Sequence, residues 1–121
     1  MGQYHKLFNL DKKEYVHGHR IGNGLKLMEQ VGFEKCTASA LWLLVAASNG
    51  RGGGDADDNC LIGRWAGDRI AVIGDYANPD DIPGIDASEI YRNEEFVDIS
   101  ANVKAMLDKE FGGEPLKRWD E

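Results

Sequence analysis

Hydrophobic and polar positions alternate at the start of the chain, in "YHKLFNL" and again in "EYVHG", with the polar tetrad Asp11-Lys12-Lys13-Glu14 between them. Alternation with a period of two on either side of a short polar connection predicts a β-hairpin over 4–16. The stretch "IGNGLKLMEQVGF" fits two structures. Leu25, Leu27, Met28 and Val31 suit a short helix that begins after Asn23 and stops at Gly32, and a strand fits the same residues.

From 37 to 48 the pattern is apolar on nearly every side, which predicts a helix buried all round, with Thr37 as its N-cap. A loop over 49–60 follows, first glycine-rich and then acidic. Its length is near that at which structureless connections are usually functional or mobile. "LIGRW" and "RIAVIGDY" read as two strands joined through Ala66-Gly67-Asp68. The continuous apolar run Ile70-Ala71-Val72-Ile73 reads as a central strand covered on both faces. Pro79 and Pro83 mark 77–84 as loop. Asp86 and Glu89 have the spacing of a capping box for a short helix through Arg92, and "FVDIS" predicts a short edge strand. Ser100 is expected to cap an amphipathic helix over 101–111, with Val103, Met106, Leu107 and Phe111 on one face and Gly112, Gly113 and Pro115 past its end. Strands and helices do not alternate regularly. The expectation is one α+β domain over 1–121, a mainly antiparallel sheet packed against the buried helix 37–48 and the C-terminal helix 101–111.

Composition narrows the class of partner. With 121 residues and 42% hydrophobic content the chain can bury its own core, and a net charge of −7 argues against nucleic acid as the main partner. The acidity suits solubility first, and a basic protein or a metal ion second. Cys36 and Cys60 lack metal-ligand spacing and are expected to be reduced, buried thiols, which points to the cytoplasm. No signal-peptide pattern opens the sequence, Lys6 stands where myristoylation wants Ser or Thr, and the apolar run 38–47 is too short for a bilayer. No membrane partner is expected.

Four constellations have the residue types for chemistry. Gly50, Gly52, Gly53 and Gly54 around Arg51 would offer backbone N–H groups and a forked cation to an anion, but the loop follows a helix and opens strands, the reverse of a phosphate-binding loop. Asp55-Ala56-Asp57-Asp58-Asn59 starts like a calcium loop and then fails, with Cys60 at the position that needs Gly and Ala66 at the one that needs Glu. A looser ion site of Asp55, Asp57 and Asp75 is left. His17-Gly18-His19 places two imidazoles on one face of an extended strand. If Asp11 pairs with Glu14, Phe8 opposes His17 and His5 opposes Arg20, so His5 points away and a three-histidine site needs another register. Finally, Trp65, Asp68, Arg69 and Asp75 sit at expected strand ends and would give a small polar ligand an aromatic face, a cation and carboxylates. The competing expectation there is an Arg–Asp turn network with Trp65 closing the core. No nucleophile stands beside a base: Ser39 and Ser48 have no neighbouring His, and Cys36 precedes an apolar helix.

The segments "MGQYHKLFNLDKKEYVHGHRIGNGLKLME", "SNGRGGGD" and "GRWAGDRIAVIGDY" resemble a family of small bacterial proteins with a similar MGxY…NLDKKEY beginning. That resemblance covers about the first two thirds of the chain. It implies a shared fold and adds weight to the glycine loop and the GDR and GDY turns, and it implies no activity, because the family's members are known only as uncharacterised proteins.

Three readings follow. The preferred one is a non-catalytic binding or regulatory domain for a small polar ligand or a protein, with Arg51, Asp55, Trp65, Asp68, Arg69 and Asp75 lining a pocket around loop 49–59 and the turns at 66–69 and 74–76. The second is a metal-dependent hydrolase using Asp55 and Asp75 with His17 or His19. The third is an acidic protein-interaction module without a pocket.

Overall fold

The hairpin forms, in a register two residues from the expected one. The computed structural model describes residues 3–22, 24–31, 35–56 and 61–111. In it, β1 (His5–Asn9) pairs antiparallel with β2 (Glu14–Val16), Phe8 opposite Tyr15 and Asn9 opposite Glu14. The shift has a local cause. Asn9 is buried, and its Oδ1 accepts from the backbone N–H groups of Asp11 and Lys12 at 2.9 and 2.7 Å, which fixes a four-residue connection. Lys13 closes it at φ 55°. A shift of two preserves which face each side chain takes, but it ends β2 at Val16. His17 therefore lies past the strand and His19 inside a 3₁₀ turn, Gly18–Ile21, so the two imidazoles do not share an extended strand.

The sheet runs β3-β1-β2-β4, with β3 (Ile70–Gly74) antiparallel to β1 and β4 (Val97–Asp98) parallel to β2. The domain is α+β with a mainly antiparallel sheet. The "FVDIS" strand lies at one edge, as expected. The apolar run 70–73 lies at the other edge, not in the centre, and Val72 is 50% exposed. "LIGRW" forms no strand: residues 61–67 are consecutive turns, with Arg64 N–H donating to Leu61, Ala66 to Gly63 and Asp68 to Trp65 carbonyls.

These turns also end the first helix. α1 spans Thr37–Leu44, four residues short of the expected end, because the Leu43 and Leu44 carbonyls accept from Gly63 and Trp65 N–H at 2.9 and 2.8 Å. Gly63 holds φ 81°, and a Cβ there would stand 2.7 Å from the Ala46 carbonyl oxygen, so only glycine fits. Cys36, not Thr37, occupies the N-cap position, and the helix is not buried all round, since Trp42 is 77% exposed. α2 (Ala87–Arg92) begins as its capping residues predict, with Asp86 Oδ1 accepting from Glu89 N–H at 3.1 Å. α3 (Ser100–Phe111) buries Val103, Met106 and Leu107. The side chain of Phe111 and residues 112–115 lie outside the described residues, as do Asn23, Gly32, Asp57 and Cys60. Ser100 is the first helical residue rather than the cap. Asp98 accepts from its N–H at 2.8 Å, while its Oγ accepts from His17 N–H at 2.7 Å and ties the exit of β2 to α3.

Alternation along β1 sends Leu7 to one face and Phe8 to the other. Leu7 and Val16 join Leu44, Trp65, Val103 and Leu107 in the larger core under α1 and α3. Phe8 and Ile73 join Ala87, Ile90 and Phe96 under α2, with Phe8 stacked on Tyr15 at 5.7 Å and edge-on to Phe96 at 5.6 Å. Cys36 is buried at the start of α1. Among the described residues no helix is long and apolar enough to cross a membrane.

Candidate functional site, a lysine between two tyrosine rings

The six residues expected to line one pocket are distributed over separate parts of the fold. Trp65 is fully buried, with no face to offer a ligand, and its Nε1–H donates to Glu14 Oε1 at 2.8 Å. Arg64 forks onto the same carboxylate, Nε to Oε1 at 3.0 Å and Nη2 to Oε2 at 2.5 Å. Burial alone would raise the Glu14 carboxyl, but the hydrogen bonds from Arg64 and Trp65, with the charges of Arg64 and Lys12, outweigh it and hold the group below its usual value. Asp68 accepts from Lys12 and Asn9 side chains, and these bonds, Lys12's first, lower its carboxyl. Arg69 donates from its backbone N–H and Nε to Asp11 at 2.6 and 2.9 Å, and the backbone bond is the main reason Asp11 is also lowered. This is the turn network with Trp65 in the core. In the glycine loop, Asp55 Oδ2 accepts from Arg51 and Gly52 N–H at 2.8 and 3.2 Å, so two of the loop's amides already hold a carboxylate of the chain.

Asp75 lies elsewhere. Six residue steps at about 3.4 Å each put it about 20 Å from Arg69, at the opposite end of the edge strand. There its Oδ1 accepts from Tyr4 N–H at 2.8 Å, and its charge acts on Lys6 and Tyr91.

Lys6 is the centre of that end of the sheet. It shares a face with Phe8, and its Nζ lies 4.6 Å from the ring centroid of Tyr91, carried by α2, and 5.4 Å from that of Tyr15, carried by β2. Burial and then the charge of Arg20 push the ammonium below its ordinary pKa, against the opposing pull of Asp98 and Asp75. His17 enters from the turn after β2. Burial first, then Lys6 and Arg20, lower its imidazole, and among the described residues its buried Nδ1 has no hydrogen-bond partner. Both phenols are raised, mainly by burial, Tyr15 further by Asp98 and Tyr91 by Asp75. Arg20 pairs with Asp98, and the two form one wall of an open depression of about 390 Å³ completed by Ala101, Lys104, Ala105 and Asp108 of α3.

Two basic groups are thus held partly out of water, one of them over two tyrosine rings and both under the charge of an arginine that pairs with Asp98. A negative charge placed beside them would raise both groups. Of the sequence candidates, Asp75 and His17 belong here. Lys6, Tyr15, Arg20, Tyr91 and Asp98 were not singled out, because they come from separate segments and share no spacing. The one local signal was Lys6 two positions before a core phenylalanine in a hairpin. Among the described residues no three His, Cys, Asp or Glu side chains come together to hold a metal ion. Comparison of the chain with protein-family models, with curated proteins and with solved structures finds no match in any of the three.

Proposed function

We propose that this protein is a non-catalytic binding domain, regulatory in character, that takes a small anionic ligand at Lys6, His17 and Arg20 between the rings of Tyr15 and Tyr91. The observation that carries the reading is the Lys6 ammonium, partly withdrawn from water over two rings in a chain of net charge −7. Lys6 and His17 are both partly buried and both lowered by burial and by the charge of Arg20, more than Asp98 and, for Lys6, Asp75 offset, and a bound anion would relieve that. The proposed site thus differs from the expected one around the glycine loop, where Asp55 already occupies the Arg51 and Gly52 amides. A cytoplasmic setting is part of the reading and rests on a composition of two cysteines without the spacing of a disulfide framework.

Native mass spectrometry of the purified protein tests it. Wild type is expected to carry extra mass that denaturation removes, and Lys6→Met is expected to lose that mass while keeping its fold by circular dichroism. Equal retention by Lys6→Met would contradict the site.

A further inference from the structure

The outer edge of β3 has features of a strand that is paired in the working protein. Leu10 N–H donates to the Arg69 carbonyl and Asp75 N–H to the Tyr4 carbonyl, both at 2.8 Å and in the same register as His5 opposite Gly74. Antiparallel pairs alternate between bonded and non-bonded, so 69, 71, 73 and 75 turn their backbone groups toward β1. Ile70, Val72 and Gly74 turn theirs outward, where among the described residues no strand meets them, although the carbonyl of the buried Gly74 already accepts from Ala77 N–H at 3.1 Å. Exposed edges are normally blunted by a charge, a proline or a bulge. The five residues here, IAVIG, contain no charge and no proline.

The edge is also self-complementary. A two-fold axis at Val72 sets it opposite Val72 of the partner subunit and Ile70 opposite the partner's Gly74; the Val72 pair uses outward-facing backbone groups on both sides, and the Gly74 carbonyl would accept a second bond beside the one from Ala77 N–H. The same register brings Arg69 opposite Asp75 of the partner subunit, twice per pair, opposite charges at both ends of an apolar strand. Beside Val72 an apolar groove of about 90 Å³ runs under Leu27, Val31, Ala38 and Leu41, with Leu27 and Val31 half exposed. The axis places the two grooves next to each other.

We propose that the protein associates through β3 into a two-fold dimer with one continuous sheet across the pair, a second copy of this chain being the occupant of the edge. Sedimentation equilibrium of the full chain over a range of concentrations tests it. Wild type is expected to be dimeric at micromolar concentration and Val72→Lys monomeric with an unchanged circular dichroism spectrum. Arg69→Asp and Asp75→Arg are each expected to weaken the dimer roughly tenfold, two exposed ion pairs being lost at once, and the double variant is expected to regain most of that loss. Because Arg69 also holds Asp11, the double variant separates pairing across the axis from a local fault. A wild type that stays monomeric throughout overturns the proposal and leaves the edge to an extended segment of another protein. A dimer indifferent to Val72→Lys overturns it as well.

Discussion

Glu14 has three donors on two oxygens and is 7% exposed. Its removal leaves the Trp65 N–H buried without an acceptor, which costs about 1–3 kcal/mol, and the ion pair adds less because the Arg64 side chain is 42% exposed. Glu14→Ala is therefore expected to lower stability by about that amount in urea denaturation, by way of Trp65. The pH dependence has a definite sign. The folded carboxyl lies below its usual 4.5, so its contribution is complete above that value and disappears as pH falls through the lower folded value. Wild type is expected to lose urea resistance on acidification from about pH 5, with Glu14→Gln showing a shallower dependence. A steeper one would mean that Glu14 is not stabilised in its charged form.

At the scale of elements, burial separates the tryptophans. Trp42 stands on the open side of α1 and Trp65 at the centre of the larger core. Trp42→Ala is expected to leave stability within about 0.5 kcal/mol of wild type, whereas Trp65→Ala is expected to cost about 3–5 kcal/mol. A large loss for Trp42 would support the helix buried on all sides that its composition predicts. The hairpin, the Asp86 cap, the "FVDIS" edge and the apolar face of α3 were legible because each depends on neighbours three or four residues away or on a period of two. What was not legible depended on distant partners. Gly63 and Trp65 stop α1 from 20 and 21 residues away, and the Asn9 side chain moves the hairpin register. An apolar run such as 70–73 is equally apolar whether its own sheet or another molecule covers it, so composition could not choose between a central strand and a sticky edge.

At the scale of the molecule, the acidic residues outside the sheet mostly serve pairs and turns: Asp11 with Arg69, Asp68 with Lys12, Asp55 with its own loop. The Lys6 end of the sheet is different, because its basic groups are depressed together and a shared anion would raise both. This part of the site was illegible in the sequence, since Lys6, Tyr15 and Tyr91 meet only once β1, β2 and α2 are assembled. The most direct measurement is the titration of each lysine Nζ by NMR, with and without pyrophosphate as the anionic probe. The account expects one lysine, absent from the Lys6→Met spectrum, to titrate below the usual 10.5 and to move upward when pyrophosphate is added. A Lys6 that titrates with the other lysines and ignores the anion would contradict it.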